Sequence, residues 1–235
     1  SSLKDIVLKF SSKDSTDQDW IKYIENIEAS SKTIIEKNII NNSEPDLIKS
    51  LKTSFSNQDC LFIGNSTPIR TFDQFYGKFS AEVNVFANRG ASGIDGLTST
   101  ALGISEANQQ SRNFLIIGDI SFFHDSNAFH IINSFTSNLT IIVINNNGGQ
   151  IFSKLDYSQN NIKGFNKYWI TPPITKVKDL ASLYQLKYYK LKNDEVQKKL
   201  KRISSIKGIK IIEVLVDASK DVAIKKQISK KIGKL

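Results

Sequence analysis

The stretch 140–152, TIIVINNNGGQIF, carries a run of β-branched residues straight into three amides and two glycines. The amides bring neutral oxygens, and the glycines free the backbone so that a carbonyl can turn inward. Upstream, NFLIIGD ends on Asp119, a carboxylate that accepts hydrogen bonds or binds a cation. One carboxylate, one or two amide oxygens from residues 145–147 and a backbone carbonyl near Gly148 would make an oxygen octahedron suited to Mg²⁺, with phosphate oxygens and water completing it. The ligand such a site suits is a diphosphate. Its own negative charge explains why neutral oxygens outnumber carboxylates. The same Asn-Gly run would serve equally well as a polar turn, and Asp119 as the cap of a helix starting near Ser121.

Two more segments carry chemistry of the same kind. GNSTPIR, after CLFIG, brings Asn65, Ser66 and Arg70; NRGASGIDG, after EVNVFAN, brings Asn88, Arg89 and glycines at 90, 93 and 96. A helix that starts after RGASG offers free backbone N–H groups and a positive dipole end, although a tight strand-to-helix turn needs the same glycines. His124 and His130 fall in the helical stretch after GDIS and are not read as acid–base groups. Asp95 and Asp125 are read as local caps or pairs.

The elements that must hold these residues follow from the apolar pattern. CLFIG, EVNVFAN, NFLIIGD, LTIIVINN, QLKYYKL and IKIIEVLVD read as six short strands, separated by helix-length segments. Nearly continuous apolar strands alternating with helices predict an α/β fold of three layers, a mostly parallel sheet with helices on both faces. In such sheets ligands bind beyond the carboxyl ends of the strands, and that is where the amides, arginines, glycines and Asp119 fall. Earlier in the chain, Trp20, Ile21, Ile24 and Ile27 recur at helical spacing, and SEPDLIKSL predicts a helix capped by Ser43 or Glu44 with Pro45 in its first turn. A Lys-rich helix passes through residues 198–202.

Composition narrows the function classes. Lys and Arg exceed Asp and Glu by 32 to 23, a formal net charge of +9. The excess is scattered lysine that aromatic residues do not interleave, so it reads as a solvated surface and not a nucleic-acid footprint. A single cysteine, Cys60, excludes an internal disulfide framework and reads as a buried strand thiol. With no apolar run of about 20 residues and no secretory h-region, the expectation is a soluble, cytoplasmic protein that does not enter a membrane. The absence of methionine and the serine at position 1 suggest a piece of a longer product, with residues 1–15 a linker remnant and 16–235 one domain.

The GD pair at Gly118-Asp119 and the amides beginning at Asn145 resemble the diphosphate-binding motif of thiamine-diphosphate enzymes, which starts GDG and ends NN; the third position here is Ile120. NRGASGIDGLTSTALG, GDISFFHDSNAF, VINNNGGQIFS and GNSTPIR together resemble the diphosphate domain of the SEPHCHC synthase family, most densely over residues 64–153. The resemblance implies the thiamine-diphosphate-binding fold and a transferase that decarboxylates 2-oxoglutarate and adds the succinyl-semialdehyde carbanion to isochorismate, in menaquinone or phylloquinone biosynthesis. It implies thiamine diphosphate and Mg²⁺, or Mn²⁺, as cofactors.

Carried over by motif, Asp119, the side chain of Asn146 and the carbonyl of Gly148 would ligate the metal, and the backbone of Gly118, Asp119, Ile120 and Ser121 would hold the diphosphate. Ile94 would be the apolar wedge that bends the cofactor. Ser66, Arg70 and Arg89 would face the substrates, with Ile151 and Phe152 as an apolar wall. The family's activating glutamate belongs to a separate pyrimidine-binding domain, so no catalytic residue is expected in this chain. It would supply half of an active site within a homodimer or homotetramer and have no turnover alone. Another thiamine-diphosphate carboligase or decarboxylase, or a non-catalytic binding module of the same fold, are the alternatives.

Overall fold

The protein is described from a computed structural model covering residues 18–134, 138–155, 158 and 162–234, the side chains of Gln18 and Asn133 aside. The expected linker over residues 1–15 lies outside the described residues. Two compact units divide the chain: Ile39–Lys225, and a smaller one of Ser1–Asn38 with Lys226–Leu235. The smaller unit contains helix α1 (Gln18–Lys37), whose Trp20 and Tyr23 rings lie 6.0 Å apart on an exposed face with Ile24.

In the larger unit the chain runs α2 (Glu44–Ser50), β1 (Cys60–Ile63), α3 (Thr67–Phe75), β2 (Asn84–Phe86), α4 (Leu97–Ala107), β3 (Asn113–Gly118), α5 (Asp119–His124), a 3-10 helix (Ser126–Ser134) and β4 (Leu139–Asn145). A short 3-10 turn (Phe152–Lys154) and a π-helical turn (Asn166–Ile170) follow. Then come α6 (Val177–Leu183), β5 (Lys187–Leu191), α7 (Asn193–Ser204), β6 (Ile209–Leu215) and α8 (Ala218–Ile232), the last continuing into the smaller unit. The six strands form one sheet in the order β2-β1-β3-β4-β6-β5, and every pairing is parallel.

Alternate residues of the central strands feed two separate cores. Leu61, Ile116, Ile142 and Ile212 pack with α2, α3 and α7 on one face; Leu115, Ile117, Ile141, Val143 and Ile211 pack with α4, α5 and α6 on the other. This is the three-layer arrangement that continuous apolar strands require. Ser43 caps α2, its Oγ accepting the Asp46 N–H at 3.1 Å, and Pro45 occupies the first turn. The expectation of buried strands fails at the edges. β2 spans three residues, shorter than the 82–88 run, and all three are exposed; β5 starts at Lys187 rather than Gln185 and is only partly buried. Edge strands have one neighbour and less helical cover.

The amino edge of the sheet buries charge within closed pairs. The Arg112 guanidinium, just before β3, donates from Nε to Asp59 Oδ1 at 3.0 Å, from a second nitrogen to Asp59 Oδ2, and also to Ser204 Oγ, the Ser54 carbonyl and Ser56 Oγ. Lys210 has no exposed surface, and its Nζ donates to the carbonyls of Ile206 at 2.6 Å and Ser204 at 3.5 Å, at the end of α7. Burial, with Lys187 nearby, brings its ammonium down to about 8. Cys60 is buried in β1, as expected.

Candidate functional site

The carboxyl ends of β3 and β4 meet in a turn that only particular residues can make. Asn147 holds φ 63°, supported by an Asx turn in which Asn145 Oδ1 accepts its N–H at 3.1 Å. Gly148 follows at φ 122°, and a Cβ there would strike the Ile170 carbonyl oxygen. A side chain at Gly149 would come within 2.9 Å of the Trp169 carbonyl, and the Gly149 N–H donates to the Ile170 carbonyl at 2.6 Å. The two glycines thus let the turn pack directly on the π-helical segment.

Asn146 lies between these fixed points. It is 7% exposed, yet its Oδ1 is buried without a hydrogen-bond partner. A buried amide oxygen left unpaired costs about 1–3 kcal/mol, so a ligand that accepts its lone pair would recover that energy. The Gly148 carbonyl accepts the Gln150 N–H at 2.8 Å and keeps a second lone pair. Asn145 points elsewhere, its Nδ2 donating to Glu213 Oε1 at 2.6 Å. Of the three amides, Asn145 is committed, Asn147 is exposed, and Asn146 presents a buried oxygen without a partner.

Asp119 begins α5 itself instead of capping it from outside; Gly118 is the residue before the helix. The carboxylate is 2% exposed and accepts the N–H of Ile120 at 2.7 Å and of Gly148 at 2.9 Å. Burial pushes it up to about 6, against the pull of those N–H groups. Its bond to Gly148 ties the end of β3 to the turn after β4. The α5 backbone through Ile120 and Ser121 continues from that point.

The ends of β1 and β2 form a second cluster on the same edge. Asn65, 1% exposed, donates from Nδ2 to the Gly93 carbonyl at 2.7 Å and accepts from an Arg89 guanidinium nitrogen at 3.1 Å on Oδ1. It therefore binds the NRGASG loop to the end of β1. Ser66 sits at φ 74°, a conformation costly for a residue with a side chain, and its carbonyl accepts Arg70 at 2.6 Å. Arg70 and Arg89 are otherwise exposed, and Ile94 is half-buried in the loop before α4. Half-buried Ile151 and Phe152 follow the Asn-Gly turn, the Phe152 ring edge-on to Trp169 at 5.3 Å.

The remaining expectations sort cleanly. Asp125 accepts the Ser99 N–H at 2.8 Å and its hydroxyl at 3.1 Å, so it pairs with the first turn of α4 across the fold rather than within its own segment. His124 is exposed at the end of α5. His130 lies at the opposite, amino end, where it shares a cavity of about 550 Å³ with Tyr184 and Gly208. Exposed Asp95 lies beside Gly93, where its Oδ1 occupies the space a Cβ would need. No cluster of three or more His, Cys, Asp or Glu side chains suited to a metal exists among the described residues. No described helix is long and apolar enough to cross a membrane.

Two features at this edge escaped the sequence reading. Glu44, fully buried, and Asp221, at the start of α8, lie together, with the Glu44 N–H donating to Asp221 Oδ1 at 2.9 Å and three of their four carboxyl oxygens unpartnered. Burial raises both carboxyls, Asp221 to about 7 with Glu44 adding to it, while Lys154 opposes the shift in each. The second is Glu213, whose only signal was a carboxylate in the middle of an apolar strand.

The chain is similar in sequence to known proteins. Residues 71–214, more than half the chain, match the family model described as thiamine pyrophosphate enzyme, C-terminal TPP binding domain. A 2-succinyl-5-enolpyruvyl-6-hydroxy-3-cyclohexene-1-carboxylate synthase of Listeria innocua is 33% identical over 98% of the chain and 40% of its own length. Synthases of the same name from Listeria welshimeri and Roseiflexus sp. are 38% identical over 73% of the chain and 37% identical over 69%, covering 29% and 28% of their own lengths. The chain thus spans about two-fifths, or less, of the curated relatives it matches.

Proposed function

The chain belongs to the thiamine pyrophosphate enzymes, as their carboxy-terminal cofactor-binding domain, and from that premise we propose that it is the diphosphate half of a SEPHCHC synthase. The observation that carries the reading is Asn146 Oδ1, buried and unpartnered on the edge where the Gly148 N–H meets Asp119. One carboxylate, one amide oxygen and one carbonyl suit a hard divalent cation whose other ligands are phosphate oxygens and water. Asp119, Asn146 and Gly148 would hold Mg²⁺, or Mn²⁺ in its place, and the backbone of residues 118–121 would hold the diphosphate. Ile94 would press on the cofactor between its rings. The cofactor, when bound, supplies an electron sink for decarboxylation and carbon–carbon bond formation.

The protein's own part is placement. Arg70 and Arg89 each commit one guanidinium nitrogen to a local oxygen, Ser66 carbonyl and Asn65 Oδ1, and their exposed remaining N–H groups would grip substrate carboxylates. 2-Oxoglutarate and isochorismate, both dicarboxylates, are the proposed substrates, with Ser66 alongside. Ile151 and Phe152 would exclude water from the reacting carbons.

The names of the relatives support this reaction, and their greater length supports a partner. A pyrimidine-binding domain would bring the activating glutamate, within a homodimer or homotetramer, and the chain alone would then show no synthase turnover; a measured rate for it alone would contradict this. Titrating thiamine diphosphate into the chain by calorimetry, with Mg²⁺, with EDTA and on Asp119→Ala, tests the site. Binding that needs both metal and Asp119 is expected. Binding indifferent to either would overturn the reading.

A further inference from the structure

Glu213 interrupts an apolar stripe. It lies on the face of β6 that carries Ile209 and Ile211, opposite Val143 of β4 in the register, and is 6% exposed. No cation pairs with it among the described residues. Two neutral donors hold it: Asn145 Nδ2 on Oε1 at 2.6 Å, and the Tyr188 hydroxyl from β5 on Oε2. Burial, reinforced by Glu213 itself, raises the Tyr188 phenol, which keeps it neutral and donating. Burying a carboxylate on two neutral donors is expensive where an aliphatic residue would pack, so a compensating role is expected.

That role can be read along the bonds. A carboxylate can only accept, so Glu213 obliges Asn145 to present its NH₂ and turn its Oδ1 the other way. Oδ1 then meets the Asn147 N–H at 3.1 Å and holds Asn147 at φ 63°, which carries the chain into Gly148, whose N–H reaches Asp119 at 2.9 Å. Asn146 hangs between these two anchors. We infer that Glu213, fixed by Tyr188, is a positioning residue: through the Asn145 amide it sets the turn that aims Asn146 Oδ1 and the Gly148 carbonyl at the metal. The inference rests on the metal–diphosphate reading of that turn. A neutral amide at 213 would pair with Asn145 in either sense, and the orientation would no longer be imposed.

The test is Glu213→Gln, isosteric and uncharged, with Tyr188→Phe as a milder variant and Asp119→Ala as the reference for loss of the site. Binding of Mn²⁺ in the presence of thiamine diphosphate is followed by the electron paramagnetic resonance of the free ion. Exchange of the Asn147 and Gly148 backbone amides is followed by NMR without ligand. Expected are a roughly tenfold weaker Mn²⁺ affinity for Glu213→Gln, a smaller loss for Tyr188→Phe, and faster exchange at residues 147–148 with strands β3 and β4 unchanged. On an Asn145→Ala background Glu213→Gln should have no further effect, whereas a merely structural carboxylate would give additive losses. Wild-type affinity in Glu213→Gln, or additivity, overturns the inference and leaves the site reading intact. If the wild-type chain takes up no Mn²⁺ with the cofactor, the site reading fails in this chain. The exchange data then decide the inference: faster exchange confined to residues 147–148 upholds it, and unchanged exchange sinks it.

Discussion

At the amino edge of the sheet, Arg112 closes on Asp59 and three further oxygens, and Lys210 closes on two carbonyls at the end of α7. At the carboxyl edge, Asp119 has backbone N–H groups but no cation among the described residues, and the Glu44–Asp221 pair leaves three oxygens without partners. Orphaned atoms exist at both edges; at the amino edge they include the neutral Asn113 Oδ1 and Thr140 Oγ1 and one carboxylate oxygen, Glu106 Oε2, whose other oxygen accepts from Gln109. The difference teaches where selection has acted for stability and where for something else. A closed pair holds elements together; an open carboxylate raises the energy of the folded chain until something from outside completes it.

The comparison breaks most easily at Arg112. Arg112→Ala leaves Asp59 buried without its partner and should cost about 3 kcal/mol of unfolding free energy, read by urea denaturation, while cofactor affinity per folded molecule stays as it was. A loss under about 1 kcal/mol would mean that the amino edge is not closed in the energetic sense. Gly148→Ala drives a Cβ into the Ile170 carbonyl and forces the turn open. It should cost about 2 kcal/mol and, unlike Arg112→Ala, abolish metal-dependent cofactor binding in calorimetry.

Asp221 sharpens the contrast through pH. Its folded carboxyl, raised to about 7 by burial and by Glu44, holds a proton more tightly than the unfolded chain, where it titrates near about 4. The stability this contributes is fully present below that value and is lost as pH rises toward about 7. Asp221→Asn keeps an oxygen for the Glu44 N–H and should stabilise the protein by about 1–2 kcal/mol at neutral pH, flattening the thermal-melting profile between pH 4 and pH 7 (about the two values above). A destabilised Asn variant at pH 7 would show that Lys154 already balances the pair. The smallest effect is at Ser66. Ser66→Gly relieves φ 74° and should raise stability by about 0.5–1 kcal/mol; if Ser66 faces substrate, the gain comes with a weaker site.

Much of this was legible in the sequence because it is local. Strand runs such as NFLIIG and LTIIVIN, the Ser43 cap with Pro45, and the clustering of Asp119, the amides and both arginines at strand ends depend on residues a few positions apart. What escaped depends on which strands become neighbours. Glu213 and Asn145 are brought together only because β4 pairs with β6, so nothing around either residue shows that one turns the other's amide. Asn65 likewise acquires its role from a loop beyond the next helix. The exposure of β2 follows from its place at the edge, which strand composition does not encode.

The all-parallel register also governs how this chain reaches its native state. No two neighbouring strands can form as a hairpin, because each parallel pairing needs a crossover segment to be closed first. Early in folding the TIIVI run of β4 therefore waits, sticky and unpaired, for β3 on one side and the much later β6 on the other. Such a chain folds slowly and loses yield to intermolecular association as its concentration rises. Dilute refolding, or a chaperone that holds β4 apart until β6 has been made, is the regime that favours the native sheet.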